Sequence, residues 1–402
     1  MFARRTNWNL APNALTLALE EHGRSGQELL DLTASNPTCV GLEYPARRIA
    51  CALADERALS YEPAAKGLLA ARHAVANYYA QQGIGIDPER LVLTVSTSEA
   101  YSYCFRLLCD PGDEVLVPSP SYPLLEFLAD IQDVRLVPFE LVYDQGWQIE
   151  FESLRRGISP RSRAVLVVQP NNPTGSYVKR WELERLNVLC REHRLALIAD
   201  EVFLDYTVES DERLSFAGNH GALSFTLSGL SKISALPQMK MAWIALSGPA
   251  DLAADAMNRL EVIADTYLSP NAPVQLATAA LLEVRHSVQR QLGRRIRHNL
   301  AELDAQLSRQ QLSHRLRVEG GWYAVLRLPA VCSDEEFALA LLRQSNVLVH
   351  PGHFFDFHRG CFLVLSLITP EAAFGEGFRR LLALSGMMSG MMSGMMSGMM
   401  NT

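Results

Sequence analysis

Four residues in this chain combine the right chemistry with telling positions: Ser96, Asn172, Asp200 and Lys232. Lys232 closes the stretch Ser228-Gly229-Leu230-Ser231-Lys232, just after the apolar run Phe225-Thr226-Leu227. A lysine in a loop of small and hydroxyl residues can stand beside a phosphate or condense with a carbonyl group. It also occurs in ordinary surface turns, so its weight comes from its company. Asp200 follows the apolar run 195–199, Asn172 follows 164–168, and Ser96 follows 91–95. A carboxylate at such a point can hold a proton on a ring nitrogen or simply cap a helix. Hydroxyls that open a helix can meet a phosphate or serve as caps.

Each of these residues ends a β-like run, and helical patterns lie between the runs. Leu68, Ala71, Val75 and Tyr78 or Tyr79 recur at helical spacing. Ser96 with Glu99 reads as a capping box before a helix over 100–108, which Pro111-Gly112 stops. Further strands over 114–117 and 241–246 and a helix over 180–191 complete the alternation. The pattern predicts an α/β fold with a mostly parallel sheet, whose ligand lies beyond the carboxyl ends of the strands. Beyond about residue 280 the pattern changes to a long helix over 281–309, strands around Trp322-Tyr323, Val347 and 362–367, and a helix over 334–344. That reads as a smaller α+β domain. The expected division is 1–45 as an N-terminal arm and part of the small domain, 46–280 as the large domain and 281–384 as the small one. Residues 385–402 form a low-complexity tail of SGMM repeats, expected to be disordered.

A formal net charge of −7 and a pI near 5.8 give no support to nucleic-acid binding. Seven scattered cysteines without a CxxC pair fit free thiols in a reducing compartment. The first ten residues lack the apolar centre of a signal peptide, and no run has the length of a membrane span. A cytoplasmic protein with no metal and no membrane contact is expected.

In order and interval, NNPTG at 171–175, ADEV at 199–202 and SGLSK at 228–232 resemble the fold-type-I pyridoxal-phosphate enzymes of the class I/II aminotransferases. The resemblance runs from about 29 to about 352. It implies a large domain with a mostly parallel, seven-stranded-type sheet flanked by helices, beside the smaller α+β domain. It implies pyridoxal 5'-phosphate as cofactor and amino transfer between an amino acid, or a related amine, and a 2-oxo acid. Lys232 then holds the cofactor as a Schiff base and shuttles a proton, and Asp200 keeps the pyridine nitrogen protonated. Asn172 donates to the phenolate oxygen and Tyr122 stacks on the ring. Ser96, Thr97, Ser98, Ser231 and Lys240 serve the phosphate. Tyr61 matches a tyrosine that crosses to the partner's phosphate, which implies a homodimer. C–S β-elimination and decarboxylation use the same scaffold and stay open.

Four departures accompany the resemblance. Lys240 stands where the family has arginine, a point charge in place of a fork. Phe203 replaces a tyrosine that hydrogen-bonds the phenolate, with Tyr206 as a candidate substitute. Val364 stands where an arginine grips the substrate carboxylate, and Ser35 where a glycine lets the backbone approach it. Carboxylate recognition must then be rebuilt, or the substrate is not an ordinary α-amino acid. Ser35, Asn36 and Lys66 are the substrate-binding candidates, with His353 and Arg359 as further possibilities.

Overall fold

The computed structural model describes residues 1–210 and 213–399, with side chains described through residue 390. Strand β1 (Leu30–Asp31) lies apart from the main sheet. The main sheet contains β2 (Leu91–Thr94), β3 (Glu114–Ser119), β4 (Arg135–Tyr143), β5 (Trp147–Ile149), β6 (Ser162–Val168), β7 (Ala196–Asp200), β8 (Ser224–Gly229) and β9 (Ala242–Ser247). Their spatial order is β2-β9-β8-β7-β6-β3-β4-β5. The neighbours from β8 to β4 pair in parallel, whereas β9 runs antiparallel to both β8 and β2. The carboxyl ends of β2, β3, β6, β7 and β8 therefore share one edge. Strands β2, β3, β7, β8 and β9 are buried along their whole length. Helices cover both faces of such a sheet, which is why these strands read as continuous apolar runs.

The sheet has eight strands, one more than the seven-stranded type expected. Strands β4 and β5 are absent from the sequence reading. Pro138 sits in the middle of β4, where a missing N–H argues against a strand. The structure accommodates it beside Val117, near the edge of the sheet, where the three-residue β5 lies beyond β4.

The second sheet is built from β10 (His314–Arg315), β11 (Tyr323–Leu328), β13 (His350–Pro351) and β14 (Cys361–Ser366), in the order β10-β11-β14-β13. Strand β12 (Val347–Leu348) pairs in parallel with β1. The helix leading to this sheet runs Ala272–Leu307, starting before the expected residue 281. Asn271 caps it by accepting the Val274 N–H, and Pro273 occupies its first turn, where no N–H is needed. The last helix runs Glu371–Met399; the tail expected over 385–402 falls partly outside the described residues.

Residues 30–34 are stitched into the second sheet. The Leu32 N–H donates to the Leu348 carbonyl, and the Ser366 N–H donates to the Leu32 carbonyl. The Ser366 hydroxyl donates to the Ala34 carbonyl at 2.5 Å. Ser35 is thus carried by the second sheet although it lies near the start of the chain.

Candidate active site

A cleft of about 370 Å³ opens where the shared edge of the large sheet faces the second sheet. Thr97, Tyr122, Asn172, Asp200, Ser231 and Lys232 line it from the large sheet. Ser35, Tyr323, His350, Phe354 and Phe355 line it from the other side.

Lys232 is placed by the tight exit of β8. A Cβ on Gly229 would come within 2.9 Å of the Met241 carbonyl oxygen and the backbone of Ala242, so only glycine lets β8 turn there beside β9. The Leu230 N–H then bonds the Met241 carbonyl and starts the short helix Leu230–Ile233. Lys232 Nζ lies 4.9 Å from the centre of the Trp322 ring and 5.5 Å from that of Phe203. Among the described residues it has no hydrogen-bond or ion-pair partner. Burial among these rings disfavours the ammonium and lowers its pKa to about 8, against an opposing pull from Asp200.

Asp200 ends β7 and is 8% exposed. It accepts the Val202 N–H at 3.0 Å and the Tyr101 hydroxyl at 2.9 Å. Burial pushes its carboxyl above the ordinary range, while these two donors and Lys232 hold it down. Tyr101 is a site residue that the sequence reading missed. It stands one helical turn after Thr97 in the helix Thr97–Leu108, and that i,i+4 spacing was the available signal.

Asn172 is buried, and its Oδ1 has no partner among the described residues. The preceding Asn171 ties the ends of β6 and β3 together by donating to the Pro120 carbonyl at 3.0 Å. The motif ends in Gly175, which has φ of +71° and whose added Cβ would lie 2.6 Å from the Gly320 carbonyl oxygen. The Gly320 N–H bonds the Gly175 carbonyl at 2.8 Å, locking this loop to the one before Trp322.

Ser96 caps the helix Thr97–Leu108 by accepting the Glu99 N–H at 3.1 Å. The reciprocal bond goes to the Val95 N–H rather than to Ser96, so the expected capping box is displaced by one residue. The cap uses the Ser96 hydroxyl oxygen as an acceptor, and the first N–H groups of a twelve-residue helix have no intrahelical partner, an arrangement that suits an anion. Thr97 lines the cleft; Ser96 and Ser98 do not.

Other expected residues lie elsewhere. Lys240 is exposed outside the cleft, two residues before β9. Tyr61 is 80% exposed and lines a separate groove with Leu68, Leu268 and Asn271. Asn36 spends its carbonyl capping Thr38, and Lys66 pairs with Glu89 at 2.5 Å and Glu261 at 3.7 Å. His353 is bound to Asp334 through both its N–H and Nδ1, and Arg359 is exposed. Of the substrate candidates, Ser35 alone lines the cleft. Tyr206 does not substitute for the missing hydroxyl at Phe203, because its OH donates to the Lys232 carbonyl at 2.6 Å.

Glu201 is buried behind Asp200, where it accepts the Phe216 N–H and the Ser215 hydroxyl. Burial lifts its pKa from 4.5 to about 8. Between those values the folded chain holds a proton that the unfolded chain has lost, so this group's contribution to stability falls as pH rises through the window. Glu201→Gln should flatten the dependence of the unfolding midpoint on pH from 4.5 to 8. It should also run above the wild type by about 2–4 °C at the alkaline end. Parallel curves for the two proteins in calorimetry would refute the assignment.

The chain matches the model of the family described as aminotransferase class I and II over residues 27–369. It therefore belongs to that family, whose members depend on pyridoxal phosphate, and it is an aminotransferase. It is 27% identical to a glutamate-pyruvate aminotransferase of Haemophilus influenzae, over 85% of this chain and 86% of that one. It is 29% identical to an aspartate/prephenate aminotransferase of Thermus thermophilus, over 96% of this chain and 97% of that one. The solved alanine aminotransferase of Pyrococcus furiosus superposes with a TM-score of 0.85 at 22% identity, covering 97% of this chain and all of that one. That likeness shows the fold.

Proposed function

We propose that this cleft holds the cofactor and that Lys232 carries the proton transfer of the amino-transfer reaction. The observation that supports it most is the meeting of Lys232, Asp200 and Asn172 in one cleft from three separate strand ends. The donor set fits the cofactor. Asp200 is a buried acid with two hydrogen bonds and Lys232 as its nearby cation, as a protonated ring nitrogen requires. Asn172 lines the cleft with an amide NH2 that makes no hydrogen bond among the described residues, and the helix Thr97–Leu108 presents its amino end with Thr97 and Ser231 beside it.

When bound, the cofactor supplies an electron sink for the bond broken at the substrate carbon. The chain's own residues do the rest. Asp200 keeps its partner protonated, and Tyr101 and the Val202 N–H fix the direction of the carboxylate. Lys232 Nζ, largely neutral above its pKa of about 8, takes the proton from the substrate carbon and returns it on the other side of the reaction. Phe203 and Trp322 keep water from the amine.

The remaining assignments go with this reading. Tyr61, exposed beside its groove, is assigned to a homodimer contact with the partner's cofactor phosphate, and Lys240 to the rim of the phosphate site. The large sheet forms the cofactor-binding part of the chain and the second sheet the smaller part. No helix among the described residues is long and apolar enough to cross a membrane, and we assign the enzyme to the cytoplasm.

A panel of amino donors that includes alanine, glutamate, aspartate and leucine tests the reading. The expected result is loss of the visible band of the loaded protein with the donor's 2-oxo acid formed, and recovery of the band with a second 2-oxo acid. Pyruvate and ammonia from a β-substituted donor, with no amino group passed on, would place the chain with the eliminating enzymes instead.

A further inference from the structure

Two basic side chains line the cleft, Lys232 and His350, and no arginine does so among the described residues. His350 was not a candidate in the sequence. It enters through strand register: β13 pairs with β14 so that His350 lies directly opposite Val364. Directly paired residues of antiparallel strands project to the same face. Val364 is fully buried in the core, and of the pair it is His350 that lines the cleft.

The ring is held but not satisfied. It meets Phe355 edge-on, with centres 5.8 Å apart at 73°, and Phe354 at 6.3 Å. Neither ring nitrogen has a hydrogen-bond partner among the described residues, and the side chain opens on the cleft. Burial holds the imidazole below its ordinary range, with Asp31 pulling the other way, so the ring acts as a neutral donor of one N–H.

We infer that His350 receives the carboxylate of the amino substrate through one ring N–H, and that the substrate's side chain lies against Phe203, Phe354 and Phe355. The substrate class is then an amino acid with one carboxylate and an apolar or aromatic side chain. Among the described residues of this chain, the aromatic wall offers a second carboxylate no cation beyond Lys232, so its entry carries a desolvation cost. A single N–H grips a carboxylate less firmly than a guanidinium fork does, so binding leans on the apolar contact. This inference rests on reading the cleft as the amino-transfer site.

The test compares leucine and phenylalanine with 3-methylbutylamine and 2-phenylethylamine, which lack the carboxylate, in the loaded wild type, His350→Leu and His350→Gln. Loss of one hydrogen bond to a charged group corresponds to about a 10- to 100-fold change. In His350→Leu the KM for both amino acids should rise by about that factor, with kcat within about threefold and the amines unaffected. His350→Gln keeps an N–H donor and should recover part of the loss, which also guards against a folding defect in the leucine variant. A second readout is independent of turnover: calorimetric binding of 3-phenylpropanoate, expected to weaken about tenfold or more in His350→Leu. An unchanged preference for amino acid over amine, together with unchanged 3-phenylpropanoate affinity, would overturn the inference. So would turnover of glutamate or aspartate well above that of leucine. If the wild type binds 3-phenylpropanoate through His350 yet passes amino groups from no donor, the carboxylate assignment holds and the functional reading fails.

Discussion

Lys232→Ala protein is expected to lose at least about 10³-fold in the rate of amino transfer, near the middle of the range for a removed acid–base group. It should also lose the visible band seen when cofactor is added to the wild type. The geometry explains why no neighbour can replace it. Lys232 Nζ stands among Trp322 and Phe203, no second lysine lines the cleft among the described residues, and the Tyr206 hydroxyl is committed to the Lys232 carbonyl. The pH dependence separates this lysine from an ordinary one. In cofactor-free protein, the rate of band formation on adding cofactor should climb as pH rises to about 8 and then level off. A lysine at its usual pKa would keep gaining for another two units or so. Partial recovery of the variant's activity by added methylamine would show that the missing group is the amine. A Lys232→Ala protein that keeps its band and its turnover would end the central assignment.

Asp200→Asn should lower kcat by about 10²–10³-fold, the usual cost of removing one preorganised charge interaction from a dry site. The same substitution should leave the unfolding midpoint of the cofactor-free protein unchanged or raised. Burial already pushes the Asp200 carboxyl upward, so an amide of the same shape removes a buried charge; its oxygen still accepts the Val202 N–H, and its NH2 donates to the Tyr101 oxygen, whose hydroxyl turns away. Loss of function without loss of stability is what distinguishes a ring-nitrogen partner from a satisfied core acid. Tyr101→Phe should show the same pattern in weaker form. Activity of Asp200→Asn within tenfold of the wild type, or a sharply lowered midpoint, would mean the acid is structural.

Half of this cleft could be read from the chain and half could not. Residues 91–95, 164–168, 195–199 and 225–227 are short apolar runs that end in a polar residue, because strands covered on both faces must be apolar and ligands meet them at their ends. Strands β4 and β5 lacked that signature, since Pro138 interrupts one and the other has three residues. The opposite wall obeys no local rule. His350, Phe354 and Phe355 reach Lys232 only because the second sheet packs against the edge of the first. His350 lines the cleft from a register position opposite Val364, which no local pattern in the sequence announces. The same limit applies to candidates that stand outside the cleft: Lys66, Asn36 and His353 have suitable chemistry, but Glu89, Thr38 and Asp334 already use it.

The stitching of residues 30–34 into the second sheet bears on how the protein is made. Leu30 pairs with Val347, and Ala34 is held by Ser366, so this wall of the cleft needs both an early and a late part of the chain. The strand ends bearing Asn172, Asp200 and Lys232 have all left the ribosome by then, and the parallel pairs β6–β7–β8 can form before it. During synthesis the lysine side of the cleft therefore stands open to solvent, with residues 30–34 waiting for a partner more than three hundred residues downstream. Such long-range closure is slow and leaves edges exposed. The cleft is completed last, and a chain stalled before residue 347 would carry the lysine without the wall that His350 supplies.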